Sequence, residues 1–109
     1  MDKNHIELEK ILDEAKRLVT GSRQHDYGNF EDNFKNITES WRLLDHSMQP
    51  STACMMMALL KIARVKQENV YKFDSYVDAI AYIAMSGVLR KKEQGNLYDT
   101  QTENNLWCH

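Results

Sequence analysis

The feature that most constrains the fold is the spacing of apolar residues, which recur every three or four positions in four separate segments. The second segment shows this spacing most clearly, in Phe30, Phe34, Ile37, Trp41 and Leu44. Such spacing places the apolar side chains on one face of an α-helix. No segment alternates apolar and polar residues as a strand would. We therefore predict an all-α protein.

Helix boundaries follow from residues that typically start and stop helices. The predicted ranges are 4–21, 30–46, 54–66 and 74–92. Asp2 or Asn4 is available to cap the first helix, Pro50 lies in the link before the third, and Gly95 stops the fourth. The third range is apolar almost all round, so we expect that helix to be the most buried.

Chain length and loop length together suggest how these helices assemble. Short loops favour an antiparallel bundle of about four helices over residues 1–95, followed by a tail over 96–109. At 109 residues the chain is one domain, close to the size at which a partner adds stability. Trp41, the methionines at 55–57 and Trp107 offer more apolar surface than four short helices cover. We therefore expect a homo-oligomer, at least a dimer.

Composition excludes several classes of protein. Fourteen basic residues against sixteen acidic ones give a net charge of −2, which argues against extensive binding of a nucleic-acid backbone but leaves a small anionic ligand open. No apolar run approaches the roughly 20 residues of a membrane span, and the charged first residues do not resemble a signal peptide. We therefore expect a cytoplasmic protein. The scattered histidines and the two cysteines, Cys54 and Cys108, give no zinc-ligand spacing.

Two pairs of charged residues on the last two helices are candidates for a binding site. Lys61 and Arg64 are three apart and share a helix face, so they could bind phosphate, or their stems could pack along the core while their charges reach water. Asp74 and Asp78 are four apart and could bind Mg²⁺ through oxygen. Asp74 could instead cap its helix, and Asp78 could form a structural ion pair with Arg64.

A third group lies at the corner between the first two helices, in the stretch RQHDYGNF at 23–30. A plain turn between helices explains both Gly28 and Asp26. Gly28 permits backbone conformations that other residues resist, and the Asp26 side chain can cap a helix or accept a hydrogen bond. Arg23 could bind phosphate, and Tyr27 could stack on a base or contact a sugar. Tyr82, one turn beyond Asp78, could line the same cleft.

The stretches RQHDYGNFEDNF, MMMALLKIARV and DSYVDAIAYIA together resemble an uncharacterised family of short helical proteins encoded by bacterial viruses, over most of residues 20 to 87. More widely the chain resembles the MazG-like nucleoside triphosphate pyrophosphohydrolases, all-α oligomers that hold Mg²⁺ between acidic helices. That resemblance implies a metal-binding role for Asp74 and Asp78 beside a cationic helix that carries Lys61 and Arg64. Those hydrolases supply a further pair of glutamates in ExxE spacing, which Glu31, Asp32 and Glu39 do not reproduce.

Three functions remain open on the sequence. A hydrolase-like bundle with an incomplete acidic site suits a protein that sequesters a nucleotide or cyclic nucleotide signal, such as a viral sponge acting in the host cytoplasm. The first alternative is a Mg²⁺-dependent pyrophosphohydrolase whose second subunit completes the metal site. The second alternative is a structural or protein-binding helical module.

Overall fold

The computed structural model describes residues 2–21 and 30–95, and this part of the chain is helical apart from short turns. It contains four helices, with no strand among the described residues. They are α1 (Lys3–Thr20), α2 (Phe30–Trp41), α3 (Pro50–Gln67) and α4 (Phe73–Gln94). The prediction of an all-α bundle is confirmed. No helix in the described ranges is long and apolar enough to cross a membrane.

The ends of α1 and α4 are set by the residues that the sequence indicated. The backbone N–H of His5 donates to Oδ1 of Asp2 at 2.8 Å, so Asp2 rather than Asn4 is the N-cap of α1. Gly95 ends α4 with a φ of 60°, in the region that favours glycine. Both signals act over a few residues, which is why they can be read from sequence.

Helix α2 is shorter than the predicted 30–46, because it ends at Trp41. Asp45 accepts hydrogen bonds from the backbone N–H and the hydroxyl of Ser47, at 3.0 and 2.7 Å. These bonds hold the pKa of Asp45 below its ordinary value and stabilise a turn where the helix would otherwise continue. Leu44, which continues the apolar spacing of α2, is consequently 94% exposed and contributes nothing to the core.

Helix α3 starts at Pro50, four residues before the prediction, because proline is well suited to the first helical turn. The expectation that this helix is the most buried is wrong. Its buried residues are Ser51, Ala53, Cys54 and Ala58, whereas α4 buries Val77, Ala79, Ala81, Met85, Ser86 and Leu89. Helices α3 and α4 pack against each other, and each packs against one further helix: α4 against α1, and α3 against α2.

Helices α3 and α4 form an antiparallel hairpin joined by a short turn over 68–72. Contacts along their seam link the start of α3 to the end of α4, and the end of α3 to the start of α4. In order, they join Ser51 to Glu93, Cys54 to Tyr82, Lys61 to Asp78 and Glu68 to Ser75. This hairpin carries five of the predicted site residues, which are Lys61, Arg64, Asp74, Asp78 and Tyr82.

The core lies where α2 meets the hairpin. It contains Phe34, Ala53, Cys54, Ala81, Met85 and Leu89. The ring of Phe34 meets the ring of Tyr82 edge-on, with centroids 6.1 Å apart, and the buried hydroxyl of Thr38 donates to the carbonyl of Phe34. Trp41 is partly buried against this core, as predicted for a residue on the apolar face of α2.

Candidate functional site

The centre of the candidate site is an ion pair between α3 and α4. Nζ of Lys61 lies 3.3 Å from Oδ2 of Asp78, and the two side chains are 18% and 33% exposed. Lys61 is seven residues from both Cys54 and Glu68, so all three occupy the side of α3 that faces α4. An ion pair between Asp78 and Arg64 was one interpretation of the sequence, but the partner of Asp78 is Lys61, and the Arg64 side chain is exposed.

Tyr82 lies next to this ion pair, as its position one turn after Asp78 predicted. Burial raises the pKa of the Tyr82 phenol, and the nearby Asp78 carboxylate and Cys54 raise it further. The hydroxyl therefore stays protonated at neutral pH and is able to donate a hydrogen bond. A positive ammonium, a carboxylate and a phenol are thus held together on the seam of the hairpin.

Arg64 and Asp74 lie on the outside of the hairpin, near its turn. The Arg64 side chain is exposed, and the described residues offer it no ion pair or hydrogen bond. Asp74 is exposed in the first turn of α4, where a carboxylate is favoured by the helix dipole. The N-cap position is occupied by Lys72, so Asp74 does not cap the helix as one interpretation held.

The acidic residues are not gathered into a metal-binding cluster in the part of the chain that the structure describes. Within it, no three His, Cys, Asp or Glu side chains lie close enough to hold an ion. Asp78 pairs with Lys61, and Glu31 pairs with Lys92 at the opposite end of the hairpin. Glu39 is exposed on α2. Asp74 and Asp78 therefore remain two carboxylates on neighbouring turns of α4.

Cys54 has the chemistry of a core residue. Its thiol is fully buried and lies 3.2 Å from the carbonyl oxygen of Tyr82, to which it donates. Burial raises the pKa of the thiol to about 12. At neutral pH the group is protonated and is not a nucleophile.

The structure also shows polar contacts and cavities that sequence reasoning missed. The Glu93 carboxylate accepts from the backbone N–H and the hydroxyl of Ser51 at 2.8 and 2.5 Å, and Ser86 donates to the Ser51 carbonyl at 2.8 Å. One cavity of about 410 Å³ is lined by Ser51, Thr52, Met55, Ile83, Ser86, Gly87 and Arg90. Another of about 300 Å³ is lined by Glu31, Asp32, Lys35, Pro50, Leu89, Lys92 and Glu93. These contacts and cavities join residues of α3 to residues far away in the sequence, so no local sequence pattern could have predicted them.

The predicted site residues fall into two groups. Lys61, Asp78 and Tyr82 are brought together, with Arg64 and Asp74 nearby on the same two helices; neither of the two cavities is lined by any of them. The other group, at the corner between α1 and α2, consists of Arg23, Asp26 and Tyr27. These three lie outside the described residues, as does the tail over 96–109.

Comparisons with known proteins relate the chain to viral proteins. The Gene 55 protein of Mycobacterium phage L5 is 36% identical over 85 residues, which cover 76% of this chain and 52% of that protein. The Gene 55 protein of Mycobacterium phage D29 is 37% identical over 75 residues, which cover 68% of this chain and 49% of that protein. The chain thus spans about half the length of these relatives. No solved structure matches.

The family comparison covers most of the hairpin and the helices that pack on it. A family model described as a domain of unknown function, DUF6378, matches residues 10–90. This range contains every candidate site residue, from Arg23 to Tyr82. The relationship to phage proteins agrees with the viral family suggested by the three sequence stretches. The chain belongs to the DUF6378 family, an uncharacterised family related to proteins encoded by mycobacteriophages.

Proposed function

We propose that the protein binds a nucleotide or cyclic nucleotide and sequesters it without cleaving it. The observation that supports this most is the ion pair on the hairpin seam, where Asp78 holds the Lys61 ammonium at 3.3 Å beside the protonated hydroxyl of Tyr82. An ammonium has three N–H donors, so Lys61 keeps donors for a phosphate while Asp78 fixes its position. Both Lys61 and Tyr82 then offer hydrogen bonds to phosphate oxygens.

Arg64 would supply the second cation of this site. It follows Lys61 by three residues, and its side chain has no ion pair among the described residues. A guanidinium donates two parallel hydrogen bonds to a phosphate, which is a stronger and more directional contact than a neutral donor makes. Arg23, Asp26 and Tyr27 would complete the pocket, with Arg23 on phosphate and Tyr27 against the base or sugar.

The relationship to phage proteins supports a role during infection. A cell under viral attack can use small nucleotides as signals of immunity, and a protein that binds such a signal lowers its free concentration by mass action. This anti-defence role requires tight binding and no chemistry. It would take place in the host cytoplasm.

The alternative is a Mg²⁺-dependent nucleoside triphosphate pyrophosphohydrolase of the MazG-like type. It is favoured by the placement of Asp74 and Asp78 on neighbouring turns at the start of α4, where two carboxylates could share one ion. In this alternative the metal would neutralise charge on the phosphates, and a second subunit would add acidic ligands such as Glu31, Asp32 or Glu39. Asp78 would then bind the metal instead of forming its ion pair with Lys61.

Calorimetry against nucleoside triphosphates, cyclic mononucleotides and cyclic dinucleotides tests the proposal. Loss of one charged hydrogen bond in Arg64→Gln should weaken binding by about 1.5–3 kcal/mol, which is roughly tenfold to 150-fold. Lys66→Gln is the matched control, because Lys66 is an exposed cation in the same helical turn on another side of α3. Absence of binding across the panel would leave a structural or protein-binding module as the function.

The fate of the bound ligand separates sequestration from hydrolysis. Protein, ligand and Mg²⁺ or Mn²⁺ are incubated, the protein is denatured, and the released compounds are analysed. Sequestration predicts an intact ligand in an amount no greater than that of the binding sites. Monophosphate and pyrophosphate in excess over protein, lost in Asp78→Asn, would establish the hydrolase instead.

A further inference from the structure

One side of the α3–α4 hairpin is apolar and exposed along its length. On α3 it carries Met55, Leu59 and Ile62, spaced four and three apart, and on α4 it carries Tyr76 and Ile83, seven apart. The cavity of about 410 Å³ has both Met55 and Ile83 in its walls, which places the two sets on the same side. We call these five residues the hairpin face. Apolar residues at intervals of three, four and seven are typical of a helix face that packs against another helix.

Gly87 lies on the same side of α4, one turn after Ile83, and no described residue of the chain requires its small size. A Cβ atom added at Gly87 would meet no atom of the described residues within 4 Å. Its φ is not positive, since Gly95 is the only described glycine with that property. Glycine is among the least favourable residues inside a helix, and it is common where a second backbone approaches closely.

We infer that a second copy of this chain covers the hairpin face, so that two hairpins form a four-helix core with Gly87 at the closest approach. The five residues are 39–56% exposed, which leaves roughly 90 Å² apiece to be covered. Two copies would therefore bury roughly 900 Å² from these side chains alone. Polar neighbours such as Thr52 and Arg90 bring the total to the size of a small specific interface.

Shape and charge both favour a second copy as the partner. A two-fold interface needs projecting side chains and a groove on one surface, and this surface has the exposed side chains of Met55 and Leu59 together with a groove whose lining includes Gly87. Among the described residues that line this groove, Arg90 is the only charged one. If the two hairpins run antiparallel, the two Arg90 side chains lie at opposite ends, and each meets the end of its partner that carries Tyr76. A parallel arrangement would bring the two arginines together.

Light scattering on the full chain, without nucleotide, tests this interface. We expect twice the 12.8 kDa mass of one chain at micromolar concentration. Gly87→Lys should give a monomer of unchanged or greater helicity, because the new side chain has free space in one chain and lysine is a better helix former. Leu59→Glu should also give a monomer. Leu44→Glu, a charge placed at an exposed leucine away from the hairpin face, should leave the dimer intact.

Oxidation of the wild-type protein gives a second measurement that needs no variant to fold. Met55 and Met56 are adjacent and 39% and 43% exposed in one chain, but only Met55 belongs to the hairpin face. A covered face predicts slower oxidation of Met55 than of Met56 by dilute peroxide. Equal rates, a monomeric wild-type protein, or a dimer that survives both Gly87→Lys and Leu59→Glu would overturn the inference. The last result would point to another surface, such as Leu8 and Leu12 on α1.

Discussion

Glu93 provides the N-terminal cap that α3 lacks locally, and removing it should destabilise the hairpin by a measurable amount. The residue before α3, Gln49, makes no side-chain cap. Glu93, near the end of α4, instead accepts from the Ser51 N–H at 2.8 Å and from the Ser51 hydroxyl at 2.5 Å. A cap is worth about 0.5–2 kcal/mol, and a carboxylate near a helix N-terminus adds about 0.3–1 kcal/mol.

From these contacts we expect Glu93→Gln, which keeps an acceptor oxygen and removes the charge, to lower the free energy of unfolding by about 1 kcal/mol. Glu93→Ala removes both hydrogen bonds and should lower it by about 2 kcal/mol. For a chain of this size these values correspond to decreases in Tm of about 4–8 °C and about 8–16 °C. Urea and thermal unfolding at one fixed protein concentration measure both quantities.

Two controls assign the effect to this contact. Glu39→Gln makes the same chemical change at an exposed position of α2 and should alter stability by less than about 0.5 kcal/mol. A double-mutant cycle of Glu93→Ala with Ser51→Ala should give a coupling energy of about 1 kcal/mol for the hydroxyl–carboxylate bond. A stability of Glu93→Ala within about 0.5 kcal/mol of the wild type would refute the assignment of Glu93 as the cap.

Two further predictions concern the core. Burial raises the pKa of the Cys54 thiol from 9.0 to about 12, so the stability gained by keeping it protonated is complete below about pH 9 and is lost as the pH rises towards 12. In a Cys108→Ser chain at pH 8, a thiol reagent should therefore label the native protein far more slowly than the unfolded one, and equal rates would contradict the burial of Cys54. In urea unfolding, Phe34→Ala should lower the free energy of unfolding by about 3–5 kcal/mol and Leu44→Ala by less than about 0.5 kcal/mol, because Phe34 is in the core and Leu44 is exposed. If the two variants lost similar amounts of stability, Leu44 would be buried, and α2 would extend to 46 as the apolar spacing predicted.

The parts of the fold that could be predicted are those specified by neighbouring residues. Asp2 and Gly95 act within one turn of the helices that they end, so the sequence located both ends to within two residues. The end of α2 was missed because Leu44 continues the apolar spacing, although the helix ends at Trp41 and the chain then turns, with Asp45 accepting hydrogen bonds from Ser47. The spacing of apolar residues predicts which side chains would share a helix face, but it does not predict the residue at which the helix ends.

The candidate site shows the same limit. The short turn between α3 and α4 indicated that Arg64 would lie at the level of Asp78, but the rotation of α3 about its axis decides which cation makes the contact. That rotation is fixed by packing, through residues such as Cys54, and the result is Lys61 rather than Arg64. Glu93 was not predicted to contact Ser51 because 42 residues separate them. The roles of Arg23, Asp26 and Tyr27 stay predictions.

The order of contacts along the hairpin seam has a consequence for how the chain folds. Glu68 and Ser75 are seven residues apart, whereas Ser51 and Glu93 are 42 apart. Closing a short loop costs less chain entropy than closing a long one, and each contact made near the turn shortens the loop that the next contact must close. The hairpin is therefore expected to zip from its turn outward, so that the start of α3 acquires its cap only at the final step. A chain released before residue 93 would have the turn and the seam, but the first turn of α3 would remain frayed.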